Sequence, residues 1–227
     1  MDRTIRKSIA IVIYDGVEPI DIGGTVGVIS MARRVLPNLA DVVVAREAGP
    51  VRLAGGLAVE APYGFADAPE TDVTIVCGGP GWSSAAEDVA MKAFLDGRRS
   101  GTLASVCTGA MILAEAGLLE GRRATTRRTR AGAEPVAPLD VMASRHDRIA
   151  AVPALLVDDG VVTGGGVSLA IDLTLYLLGK LYGVDARDEI AGMIEYDRAF
   201  AANRAALLIK SGPWSNDLGV SPDYRAK

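Results

Sequence analysis

A chain of 227 residues, 49% hydrophobic and 23% charged, is long enough for one sizeable core, which points to a single α/β domain with at most a modest C-terminal appendage. A formal charge of −4 gives no electrostatic reason to expect nucleic acid as a partner. Two cysteines, Cys77 and Cys107, cannot build a disulfide framework and show no metal-ligand spacing, so no metal is expected.

The N-terminal stretch MDRTIRKSIAIVIYDG lacks a signal-peptide layout, because its apolar part is short and runs into an acidic loop. The most apolar later segment, VSLAIDLTLYLLGKLYG (167–183), is broken by Asp172 and Lys180, short of the roughly 18 uninterrupted apolar residues of a membrane span. The expected location is the cytoplasm, with no membrane partner.

Strand-like runs then alternate with helix-like ones. SIAIVIY (8–14), DVVVA (41–45), DVTIVC (72–77) and TLASV (102–106) read as continuous apolar strands, and ALLVDDGVVTGGG (154–166) as a hairpin turning at Asp159-Gly160. Helices are expected over 24–35, 83–97, 109–117, 166–182 and 185–195, with residues 45–65 as a hairpin side branch. Unbroken apolar strands between helices imply a mainly parallel, doubly wound sheet covered on both faces. The domain is placed at 1–197. Residues 198–227 lose periodicity and read as an extension or docking arm, with SGPWSNDLGVSPDYRAK loop-like. The arginine-rich GRRATTRRTR (121–130) reads as solvated surface, with a phosphate-facing role as the alternative.

In an open parallel sheet, ligands sit outside the carboxyl ends of the strands. Four unusual loops fall on that edge and concentrate glycine and acid along one rim: DGVEPIDIGG (15–24), CGGPGW (77–82), Cys107-Thr108 and TGGGVS (163–168). A thiol at a strand-to-helix junction, in SVCTGA, faces unpaired helix amides, which lower its pKa and favour the thiolate. Cys107 is therefore the candidate nucleophile, against the alternative of a small buried thiol; Cys77, at the end of an apolar strand, reads as core. The sole histidine, His146, lies in a polar stretch and reads as surface, which leaves proton handling to a carboxylate. Asp21, between Ile20 and Ile22, is the candidate, with a helix cap as the competing reading. Asp15 and Glu18 read as exposed. Gly78 and Gly79 let main-chain amides approach a ligand as an oxyanion pocket. Thr108 and Ser168 read either as hydroxyl contacts to a ligand or as first-turn helix residues.

Taken together, GVEPIDIGG, GPVRLAGGLAVE, GGPG, SVCTGAMILAEAGLLEGRRATT and DDGVVTGGGVSLAID resemble blocks of the ThiJ/PfpI superfamily, the parkinsonism-associated deglycase group with a glutamine-amidotransferase-like fold. The resemblance spans about residues 8–195 and implies a flavodoxin-like sandwich, normally a homodimer, with Cys107 as the reactive cysteine and Asp21 as its acidic neighbour. Protease- and deglycase-type branches carry His after the cysteine, where this chain has Thr108. Cys-Thr, with Asp in the first loop, is most similar to isocyanide hydratase and to the sensor domain of amidotransferase-like AraC-type regulators. The resemblance to the hydratase implies attack of Cys107 on an isocyanide carbon, hydrolysis of the thioimidate to an N-substituted formamide, Asp21 as acid/base, and a pocket shaped by Thr108, Gly79 and the main chain around Val167. The alternatives are a non-catalytic ligand- or redox-sensing domain, or another small-molecule hydrolase or glyoxalase. The regulators continue into a helix-turn-helix region, for which the sequence before Lys227 is too short, and this favours the enzyme. One departure stands near the pocket: after ATT the hydratase and regulator sequences continue with His-Trp, and this chain with Arg127-Arg128. The stretch AGAEPVAPLDVMASRHDRIAAVP also forms a longer connection than the hydratase's.

Overall fold

The computed structural model describes residues 2–212. Its strands are β1 (Lys7–Val12), β2 (Leu39–Val44), β3 (Gly49–Arg52), β4 (Ala58–Ala61), β5 (Val73–Val76), β6 (Thr102–Ser105), β7 (Arg123–Ala124), β8 (Ala150–Ala151), β9 (Leu156–Asp158), β10 (Val162–Gly164) and β11 (Ile209–Ser211). Among the described residues, seven of them form one sheet in the order β11-β9-β10-β6-β5-β1-β2. Only β9 and β10 pair antiparallel there, as the expected hairpin around Asp159-Gly160; the other neighbours are parallel.

The central strand explains the sandwich. Alternate side chains of a strand face opposite ways, so a run buried throughout needs cover on both faces. Ile9 and Ile11 join one hydrophobic cluster, Ala10 and Val12 the other, and all four are fully buried. β3 and β4 pair as the expected hairpin side branch.

Several helices depart from their expected bounds. The first starts at Pro19, whose fixed φ suits a first helical position, and widens into a π-helical turn at Gly23–Gly27 before Val28–Ala32. The expected 83–97 helix splits at Asp88, whose carboxylate accepts the Ala90 N–H at 2.8 Å and so caps Val89–Gly97. Two helices, Pro138–Arg145 and Asp197–Ala206, lie outside the expected set, both short and weakly apolar. Residues 198–212 therefore hold regular structure where periodicity had looked lost: β11 extends the main sheet alongside β9. The remainder of the loop-like tail, from residue 213, lies outside the described residues. Among those described, no helix is long and apolar enough to cross a membrane.

β1, β5, β6 and β10 are parallel neighbours, so the loops that follow them open on one edge of the sheet. Gly109 allows the helix Gly109–Glu115 to start hard against that edge: a β-carbon there would lie 2.1 Å from the Val76 carbonyl oxygen. Gly109→Ala is expected to destabilise the fold by about 2–4 kcal/mol, because the clash is with backbone that cannot rotate away. Urea denaturation of the variant beside wild type checks this; an unchanged midpoint would contradict it.

Candidate active site

Cys107 leaves β6 through a sharp bend with φ 51°, the left-handed region that side chains rarely occupy. The bend is pinned from both sides. Cys107 N–H donates to the Gly165 carbonyl at 3.0 Å, and the Thr126 hydroxyl donates to the Cys107 carbonyl at 2.7 Å. A strained residue held by its surroundings at a strand-to-helix turn is the arrangement that lifts a nucleophile above a sheet. Val167 is strained too, a β-branched residue at φ 54°, and its backbone N–H is directed at the Cys107 sulfur, as is that of Thr108.

Asp21 is fully buried beside this thiol. It does not cap its helix. Its Oδ2 crosses to accept the Gly78 N–H at 2.8 Å, while Oδ1 is buried without a hydrogen-bond partner among the described residues. Burial pushes the Asp21 pKa from 3.8 up to about 7, opposed by the Gly78 amide and assisted by the charge of Glu18; Cys107 and Arg127 draw it back.

The thiol corrects the expectation of a lowered pKa. Burial, then the negative charge of Asp21, push Cys107 up to about 11, and the amides of Val167 and Thr108 with the Arg127 guanidinium only partly offset this. The helix that follows has seven residues and a side chain 3% exposed sits at its start, so desolvation outweighs the amides. Two such neighbours titrate as a pair. Between about pH 7 and about pH 11 the pair holds one proton, shared between sulfur and carboxylate.

The glycines behave differently from an open oxyanion pocket. The Gly78 amide is committed to Asp21, and the Gly79 amide donates to the Thr108 hydroxyl at 2.8 Å. A β-carbon at Gly78 would fall 2.4 Å from the Thr108 nitrogen, so glycine is needed for the loop to close onto the Cys107 bend. Thr108 thus serves the loop; Ser168 is exposed and outside the cavity wall. Cys77 is core, as read, with its thiol pushed well up by burial. His146 stands 3.4 Å from Glu115, at the opposite end of the helix that starts beside Cys107. Asp15 is exposed and accepts the Arg52 N–H at 3.0 Å.

A cavity of about 540 Å³ opens over the sulfur, lined by Cys107, Thr108, Gly79 and Val167, by apolar Trp82 and Pro80, and by the charged Glu18, Arg127 and Glu134. Glu18 is half-buried here, where solvent exposure was expected. The arginine cluster also divides. Arg128 and Arg130 are exposed, but Arg122 and Arg123 bind Asp159 and neighbouring carbonyls, and Arg127 turns into the cavity, 8% exposed, paired with Glu134. Glu134 escaped sequence reasoning because its partner lies across an irregular loop with no periodic signal. Among the described residues no cluster of His, Cys, Asp or Glu fits a metal ion.

These elements define a protein class. The chain belongs to the DJ-1/PfpI family, whose pattern matches residues 7–180. Among individual proteins, it is 31% identical over 196 residues to the isonitrile hydratase of Pseudomonas putida, covering 83% of this chain and 78% of that one. It is 30% identical over 145 residues to the HTH-type transcriptional regulator GbdR of Pseudomonas aeruginosa, covering 63% of this chain and 37% of the regulator. A ThiJ/PfpI family protein from Pseudomonas syringae superposes with a TM-score of 0.73 at 28% identity, over 86% of this chain and 76% of that one. Drosophila melanogaster DJ-1beta shares the fold, with a TM-score of 0.70 at 19% identity over 84% and 98% of the two chains.

Proposed function

We propose that the protein is a cysteine-dependent hydratase that adds water to an isocyanide and releases an N-substituted formamide, without a cofactor. The observation that supports this reading is the buried Cys107–Asp21 pair, a thiol beside a carboxyl that burial pushes up to about 7, beneath a cavity. The hydratase relative supports the same chemistry.

In the forward step, Asp21 carboxylate takes the thiol proton as the sulfur bonds to the terminal isocyanide carbon. The proton then passes from Asp21 to that carbon, giving a neutral thioimidate, S–CH=N–R. Water adds to the thioimidate carbon with Asp21 accepting its proton. Asp21 passes that proton to the adduct nitrogen; collapse then breaks the C–S bond as the adduct's hydroxyl proton moves through Asp21 to the sulfur, restoring the Cys107 thiol as R–NH–CHO leaves. A general acid/base is most useful when its pKa lies near the working pH, and Asp21 meets that requirement.

The test is conversion of alkyl and aryl isocyanides to formamides in chelator-treated buffer, followed by liquid chromatography and mass spectrometry. Turnover is expected with at least one of them. No product across the series, with Cys107 still alkylatable, would favour the second reading, a ligand-sensing domain, for which the regulator relative speaks. Oxidant sensing fits less well, because a buried thiol pushed up to about 11 offers little thiolate to peroxide. We further propose a cytoplasmic homodimer, on the strength of the family resemblance, with light scattering as its check.

A further inference from the structure

The Gly78 and Gly79 amides are already occupied, and those of Val167 and Thr108 are directed at the sulfur itself. The atom that gains negative charge during addition therefore needs another donor. Among the described residues, Arg127 is the one cationic side chain in the cavity wall.

Its placement is built from several directions. The preceding residue, Thr126, donates its hydroxyl to the Cys107 carbonyl, and the Arg127 carbonyl accepts the Leu139 N–H at 3.1 Å. The aliphatic stem presses on Gly166, where a β-carbon would stand 2.6 Å from Arg127 Cγ. At the head, Nη1 donates to the Thr129 carbonyl and Nη2 to Glu134, whose other oxygen accepts the Ala131 N–H at 2.8 Å. A guanidinium has five N–H donors, so these two bonds leave others for the site. The guanidinium shares the cavity wall with Cys107, and its positive charge bears on the sulfur.

We propose that Arg127 is a catalytic residue: fixed by Glu134 and Thr129, it supplies the positive charge that stabilises the Cys107 thiolate and the N–H that receives the heteroatom made anionic during addition at the carbon bound to the sulfur. Glu134 both aims the guanidinium and moderates its charge. This rests on Cys107 as nucleophile but not on isocyanide as substrate. The class of electrophile it selects is one that presents a nitrogen or oxygen lone pair on the attacked carbon's Arg127 side. The groups that set the sulfur's charge are then Asp21, with Glu18 behind it, Arg127 with Glu134, the partly buried Tyr14 and the buried Cys77.

Alkylation of Cys107 by iodoacetamide, read by peptide mass spectrometry from pH 5 to 11, separates this inference from the substrate question. Arg127→Met is expected to slow alkylation at pH 7 by about tenfold, since an opposite charge beside a titrating group moves its pKa by about one unit or more. Arg127→Lys should recover most of that loss, and Glu134→Gln should raise the rate by about threefold, as the counter-charge is removed. Unchanged alkylation in Arg127→Met and Glu134→Gln would overturn the proposal; if Arg127→Met does not fold, an unchanged rate in Glu134→Gln overturns it alone. A normal alkylation response with no isocyanide turnover in any variant would support Arg127 and remove the hydratase reading.

Discussion

Cys107→Ala is expected to lower isocyanide turnover by at least about 10³-fold, with the fold intact, because no covalent adduct can form once the nucleophile is gone. The small side chain occupies the same bend, held by Gly165 and Thr126 through backbone atoms that alanine retains. Its β-carbon keeps the space beside Gly78, and only the sulfur is lost to the cavity. Formamide production by mass spectrometry, with circular dichroism and a melting curve as the fold control, measures the effect. Cys107→Ser separates positioning from reactivity, since its hydroxyl sits where the sulfur sat yet is a far weaker nucleophile at the same pH. Retention of more than about a tenth of wild-type turnover by the alanine variant would show that the sulfur is not the attacking atom.

Asp21→Asn is expected to move activity and stability in opposite directions. Turnover should fall by about 10²–10⁴-fold, the range for loss of a positioned acid/base. Stability should rise, and the sign follows from the folded-state pKa of about 7 against an ordinary 3.8. Between these values the native state holds a proton that the unfolded chain has released, so wild-type stability falls as pH rises through the window. Above about pH 7 the full burial cost is present, at most about 4 kcal/mol at about 1.4 kcal/mol per pH unit. Asparagine cannot ionise, and its carbonyl can still accept the Gly78 N–H. The variant should therefore exceed wild type by about 2–4 kcal/mol at pH 8 and match it below pH 4. Urea denaturation at both pH values checks this, and an advantage that persists at pH 4 would assign it to packing rather than charge.

Much of this site was legible in the chain because it follows from local rules. Apolar runs bounded by glycine and acid give strands and their carboxyl-end loops, which places Cys107, Asp21 and Gly78 on one edge. Where the reading missed, long-range physics had decided. The thiol's pKa depends on burial and on a carboxylate 86 positions away in the sequence, and no helix-end rule contains either term. The glycine amides looked open because their partners, Asp21 and Thr108, come from other loops. Arg127 stood out as a departure from the family, but its inward turn depends on Gly166 making room and on Glu134 meeting it. The helix Asp197–Ala206 was missed for a related reason: its stability comes from docking, through Tyr196 and Asn203 bonded to the buried Asp172 at 2.8 and 3.0 Å, rather than from a strong apolar stripe.

Sulfur and carboxyl sharing one proton can be tested without knowing any substrate, by following iodoacetamide alkylation of Cys107 against pH in wild type and Asp21→Asn. The expected wild-type profile rises near pH 7, as Asp21 becomes able to take the thiol proton, and that limb is absent from the variant. A single rise at an ordinary thiol value of about 8.5, the same in both proteins, would show that the two groups titrate independently and contradict the shared-proton site.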